Sequence, residues 1–207
     1  MNLSSIKSYH VAKYLLNHQL SSQTEISKGT DVAIGYVNQI VHELSNLNMI
    51  RVEYGKCVLQ DYAKLLEKIS FDRPFNSLKN DELRLPTSSI KVTEQALAQY
   101  CRINNTGYAF TSFSALKHYY EYHISYPTIH IYVENPRVIQ GIEKGEGAIP
   151  VIILKSDRPD ILTDSVTMGD YQVCEKIQVI IDLYSSGIGR DAAIRFYRDS
   201  IWKNQTY

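Results

Sequence analysis

Residues 21–60 read SSQTEISKGTDVAIGYVNQIVHELSNLNMIRVEYGKCVLQ, and the order of signals in this stretch decides the fold. Ser22 and Glu25 stand three apart, the spacing at which a serine hydroxyl and a glutamate carboxylate reciprocally cap a helix start. A short helix is expected from Gln23 to Lys28, with Gly29 as its stop. A longer helix is expected from about Ala33 to Asn46. Its buried stripe would be Val37, Ile40 or Val41, Leu44 and Leu47, and its opposite side Gly35, Tyr36, Asn38, Gln39 and His42. Ile50 to Tyr54 and Cys57 to Gln60, on either side of Gly55-Lys56, read as a β-hairpin.

Toward the N-terminus, Ser4 and Ser5 offer caps for a first helix. Ile6, Tyr9, Val11, Ala12, Leu15 and Leu16 recur there at helical spacing. Toward the C-terminus, Leu65, Leu66 and Ile69 mark a fourth helix over about 61–70, broken at Arg73-Pro74 because the residue before proline disfavours helical backbone. Three helices followed by a hairpin is the order of a winged helix-turn-helix, expected over residues 1–72. The polar, turn-rich stretch 73–90 reads as a linker, and 91–207 as a second, mixed α/β domain. The expected fold class is α+β.

In such a motif the first two helices and the hairpin cover the apolar side of the third, whose polar face is free for the DNA major groove. Asn38 and Gln39 carry the amides that pair with adenine, and Gly35, Tyr36 and His42 share their face. Ser22 and Gln23 stand at the second helix start, and Arg51 and Lys56 on the hairpin would meet phosphate. These nine residues are the candidate DNA contacts. Charge does not add to the case. The chain holds 22 Lys+Arg against 22 Asp+Glu, which excludes a histone-like or tail-driven binder. In residues 1–61, Lys7, Lys13, Lys28, Arg51 and Lys56 face Glu25, Asp31, Glu43, Glu53 and Asp61. Affinity for DNA rests largely on phosphate neutralisation, so a neutral reading head is expected to act as a homodimer or on paired sites.

In the second half, Thr93-Glu94 opens a helix, and Gly107 to Thr111 reads as a short strand or turn. A helix follows from Thr111 to about Tyr122, then a strand at 128–133 and a short helix from Pro136 to Lys144. Ile149 to Leu154 is a continuous apolar run, as in a central strand. Two helices, about 174–185 and 190–203, close the chain. Tyr119, Tyr120, Tyr122, Tyr126 and Tyr132 crowd one region with His118, His123 and His130. Tyrosine is enriched at interfaces, so Tyr119, Tyr120 and Tyr122 are candidates for a protein-binding surface.

Cys57, Cys101 and Cys174 are odd in number and widely spaced, which fits neither a disulfide framework nor a zinc site. They read as small buried thiols of a cytoplasmic protein. No apolar run approaches the roughly 20 residues that span a bilayer, so no membrane partner is expected. No phosphate-cradling loop, HExxH or GxSxG motif occurs, and neither catalytic residues nor a cofactor nor a metal is expected. Asp157-x-x-Asp160 beside Lys155 is the nearest approach to a metal-dependent nuclease or nucleotidyltransferase, but the sequence SDRPD reads as a solvated turn. Asp182, within the apolar IQVIIDLY, needs a partner if buried, and Arg190 is the expected one.

Gly107 to Leu116, Tyr132-Val133, Gln178, Asp182-Leu183 and Gly189-Arg190-Asp191-Ala192-Ala193, taken with the helix order before them, resemble the AbiEi-type antitoxin regulators of type IV toxin–antitoxin systems. The resemblance spans nearly the whole chain. It implies autorepression through the winged helix and neutralisation of a nucleotidyltransferase-like toxin through the C-terminal part. Two features depart from a strong DNA reader: Ala33 stands where a serine or threonine usually caps the recognition helix, and Glu53 accompanies Arg51. The alternative is a winged helix joined to a metal-dependent nuclease-like or nucleotidyltransferase-like domain. A third reading, a small-ligand sensor, would need an apolar pocket in the second domain.

Overall fold

Ser5 accepts a hydrogen bond from the Ser8 amide and starts α1, Ile6–His18, in a computed structural model that describes residues 2–122 and 126–202. Strand β1, Leu20–Ser22, runs into α2, Gln23–Thr30, where Ser22 and Glu25 form the expected capping box. Helix α2 does not stop at Gly29. It continues to Thr30, and Asp31 takes the left-handed position at φ 53°, which a short polar side chain tolerates. Gly29 serves packing instead: a Cβ there would lie 2.2 Å from the Tyr14 ring on α1.

Helix α3, Ile34–Asn46, buries Val37, Ile40, Val41 and Leu44, while Leu47 falls beyond its end and is exposed. Strands β2, Ile50–Glu53, and β3, Lys56–Leu59, are joined by Tyr54-Gly55, one residue earlier than expected. Both turn residues have positive φ, 48° and 76°, the condition for a two-residue hairpin turn whose twist matches its strands. Strand β1, not foreseen, pairs antiparallel with β3 to give the order β1-β3-β2. Asp61 caps α4, Tyr62–Asp72.

The stretch read as a linker is built into the second half. Phe75–Leu78 forms a single tight turn, and Lys79–Arg84 is strand β4, an edge of a six-stranded sheet. The elements that follow are α5 (Ile90–Ile103), β5 (Tyr108–Thr111), α6 (Ser112–Tyr119), β6 (Ile129–Val133), α7 (Pro136–Ile139), β7 (Pro150–Lys155), α8 (Asp160–Thr163), β8 (Val166–Met168), β9 (Tyr171–Val173), α9 (Lys176–Ser185) and α10 (Arg190–Tyr197), and the five other strands complete the sheet. The order β4-β7-β6-β5-β9-β8 mixes parallel pairs, β6 with β7 and β5 with β9, with antiparallel ones. The apolar run in β7 is flanked by β4 and β6, as a central strand should be. Helices α6 and α7 are shorter than their periodicity suggested, α10 continues through a π-helical turn, Arg198–Trp202, to about the expected length, and the β8–β9 hairpin was not foreseen. The architecture is α+β. Among the described residues no helix is long and apolar enough to cross a membrane, and the three cysteines are buried and unpaired.

Helix α9 is buried from Ile177 to Tyr184, so it lies inside the molecule with both halves against it. Its polar residues carry the junction. Tyr9 of α1 donates to Gln178 Oε1 at 2.8 Å, and Gln178 Nε2 donates to Asp182 Oδ1 at 2.9 Å. Thr111, Tyr132 and Arg73 also donate to Asp182, at 2.6, 3.1 and 3.3 Å. Arg73 makes a two-pronged bond to Asp157, at 2.8 and 2.9 Å. The Arg158 guanidinium lies 3.8 Å from the centre of the Tyr9 ring. Further along α1, the Tyr197 hydroxyl donates to the Leu16 carbonyl at 2.6 Å. Arg73, not Arg190, is therefore the partner of Asp182. Arg190 lies at the surface, bonded to Glu67 at 3.3 Å and stacked on Tyr184.

Breaking a buried pair by deleting one member leaves an uncompensated charge, at a cost of about 3–5 kcal/mol. Asp182→Ala should lose stability on that scale in urea denaturation. A loss below about 1 kcal/mol would show that the carboxylate is not the centre of the junction.

Candidate nucleic-acid interface

The outer side of α3 is open along its whole length. Ile34, Asn38 and His42 form one row at intervals of four residues, and Gly35 and Gln39 form the neighbouring row; all five are exposed. A Cβ placed on Gly35 would have nothing within 4 Å. The Asn38 side-chain amide donates to Gln23 Oε1 at 3.0 Å, so α2 orients one of the candidate readers. The structure thus gathers Gln23, Gly35, Asn38, Gln39 and His42 on one surface.

The remaining candidates are placed differently. Ser22 is engaged in the capping box, its hydroxyl bonded to the Glu25 carboxylate at 2.9 Å. Tyr36 lies on the flank facing α1, with its hydroxyl 3.1 Å from Ser8 Oγ. On the hairpin, Arg51 Nε bonds to its neighbour Glu53 at 2.7 Å, leaving Lys56 as the cation beside the turn. Two exposed residues join the surface that the sequence did not mark. Tyr54 projects from the hairpin tip at 104% relative exposure. Ile34 is 52% exposed, although its spacing to Val37, Val41 and Leu44 reads as a continuation of the core stripe. Nothing in the pattern separates it from the core; only the helix's position over α1 and α2 does.

The carboxylates behind the enzymatic alternative are not a solvated turn. Asp157 is held by Arg73 and Arg158, the latter buried. Asp160 accepts from Lys13 at 2.9 Å and lies 3.2 Å from His10. Lys13 also meets Asp164 at 3.6 Å and Glu175 at 2.5 Å. This cluster lines a groove of about 680 Å³ between α1, α2 and the second half. Asp160, Asp164 and Glu175 there all face one cation, Lys13. Among the described residues no group of three or more His, Cys, Asp or Glu side chains is placed to hold a metal ion.

The tyrosines serve contacts within the chain. Tyr119 donates to the Cys174 carbonyl at 2.8 Å, Tyr120 to Asp199 at 2.8 Å and Tyr122 to Asp191 at 2.7 Å. Tyr119 and Tyr120 also pack on Phe196. All three are half-buried: Tyr119 is tied behind β9, Tyr120 to the turn after α10 and Tyr122 to α10. His123 lies outside the described residues.

Two partly buried groups contribute to the response to acid in separate windows. Burial pushes the His130 imidazole down to about 4, against an ordinary value of about 6.5. Between those limits the unfolded chain binds a proton that the fold excludes, so stability falls as pH drops through this window. For Asp157, burial raises the carboxyl, but the bonds and charge of Arg73 and then of Arg158 outweigh it and hold it at about 2. Its contribution is complete above the ordinary value of about 4 and is lost as pH falls toward 2. Stability should therefore decline in two steps on acidification. His130→Gln should shrink the first, to which His118, also lowered by burial, contributes the remainder, and leave the second in urea titrations at a series of pH values. The difference between the two proteins isolates His130 from Glu94, whose carboxyl burial raises. An unchanged first step in the variant would assign it to another group.

Comparison with family models, with curated proteins and with solved structures finds no match for this chain.

Proposed function

We propose that the chain is a DNA-binding transcriptional regulator and that its N-terminal unit is a winged helix-turn-helix. The order α1-β1-α2-α3-β2-β3 supports this reading, as do the short α2–α3 connection and the hairpin beside α3. The observation that carries it is Gly35. Glycine in a helix costs up to about 1 kcal/mol relative to alanine, and the fold gives no steric reason for it, since the space above it is empty. A glycine on an open face, flanked by amides, suits the close approach of another backbone. Duplex DNA entering beside α3 supplies one.

The assembly proposed is a cytoplasmic homodimer on paired operator sites, because a head with five cations and five anions, one cation already bonded to Glu53, neutralises few phosphates alone. That the regulator is an antitoxin-type autorepressor of a nucleotidyltransferase-like toxin rests on the resemblance to AbiEi-type proteins. Thr111, Tyr132, Gln178 and Asp182 of the segments that carry it meet in one buried network. The enzymatic alternative is weaker, because its carboxylates are held by arginine and lysine.

Gly35→Ala tests the reading. The variant should unfold at the same or a higher urea concentration than the parent. Its affinity for duplexes selected by the parent chain should fall at least about tenfold, equivalent to 1.4 kcal/mol, measured by fluorescence anisotropy. Equal affinity would remove α3 from the interface.

A further inference from the structure

We propose that α3 recognises an A·T-containing step in the major groove, with Ile34 packed on a thymine 5-methyl group and Gln39 and Asn38 reading adenine. This rests on the regulator reading above and names the bases its surface suits.

Each base pair offers a different set of groups in the major groove. Guanine is read chiefly by arginine or lysine, adenine by asparagine or glutamine, and thymine by apolar contact with its methyl group. Helix α3, IGYVNQIVHELSN, contains neither arginine nor lysine. Of the hairpin cations, Arg51 is bonded to Glu53, and Lys56 stands beside the turn rather than on α3. The first two turns offer Ile34, Asn38 and Gln39. Gln39 keeps its amide oxygen and nitrogen unengaged among the described residues, so it can accept from the adenine 6-amino group while donating to N7. Asn38 is oriented by its bond to Gln23, which leaves its own oxygen as an acceptor. His42 can donate one bond to a purine, but it stands eight residues, about 12 Å, along the helix from Ile34.

Ile34 carries the inference furthest. An isoleucine half-exposed at the first position of a helix contributes little to the core, and its cost in exposed apolar surface has no internal return. Its neighbour in the next row is Gly35, whose missing side chain brings the helix start close to whatever lies opposite. A methyl group is the apolar feature that a base edge presents in the major groove, and it belongs to thymine. Gly35 sets the approach, Ile34 supplies the apolar contact, Gln39 supplies paired hydrogen bonds and Asn38 a single acceptor. Ile34 and Gln39 favour A·T over G·C, and Asn38 accepts from the amino group that adenine presents.

The test uses the full chain. Duplexes are selected from a random library, and the enriched half-site is expected to hold adjacent A·T pairs. Thymines in that site are then replaced by deoxyuridine, which removes only the methyl group. The parent protein should bind about fourfold more weakly for the critical thymine, the weight of one buried methyl group. Ile34→Ala, a change on an exposed position, should bind thymine and deoxyuridine duplexes equally. Failure to bind any duplex would overturn the regulator reading itself. Selection of a G·C core, indifference to deoxyuridine, or retained discrimination in Ile34→Ala would overturn this inference while leaving that reading in place.

Discussion

A carboxylate taken fully out of water must be supplied with donors, and the way Asp182 is supplied organises the rest of the molecule. It lies on the buried helix α9 and accepts from Arg73, Thr111, Tyr132 and Gln178. These come from four places in the chain: the end of α4, the end of β5, the middle of β6 and the preceding turn of α9. Burial pushes its carboxyl up, and the Arg73 charge pulls it back. Replacing such a cluster with well-packed apolar groups is often neutral or stabilising. Its effect lies in fixing which elements meet, and Tyr9 extends that choice to α1.

The same principle withdraws several cations from the surface of a chain proposed to bind DNA. Lys13, Arg73 and Arg158 are buried or nearly so, each opposite carboxylates. A count of 22 against 22 gives them the weight of surface cations, yet they hold the two halves together and neutralise no phosphate. The surface proposed to meet DNA accordingly presents groups that carry no charge: amides, an apolar side chain and the open backbone at Gly35.

Much of the fold was legible because it follows from local chemistry. Capping residues, apolar spacing and a Gly-containing turn placed α1, α2, α3, α4 and the hairpin to within a few residues. What the sequence concealed depends on distant partners. Strand β4 has the composition of a loop, KNDELR, and is a strand because β7 offers it an edge. SDRPD looks solvated until Arg73, 84 residues before Asp157, folds over it. Asp182 could be recognised as needing a partner, but proximity in sequence pointed to Arg190 and the tertiary fold chose Arg73. In the candidate interface the polar face of α3 was readable from periodicity. The capture of Tyr36 by Ser8, of Arg51 by Glu53 and the exposure of Ile34 were not, because each depends on what lies beside the helix.

The anchoring of α1 has a mechanical consequence. Tyr9, Lys13, Leu16 and the Ser4 carbonyl are all tied to the second half, at Gln178, Glu175, Tyr197 and Arg158. A head fixed in this way cannot swing on a tether to find its site. In a two-headed assembly the distance between heads would be a property of the fold, and the protein would act as a ruler. Inserting half a helical turn between two half-sites would carry one of them to the far side of the duplex, out of reach of a head that cannot follow.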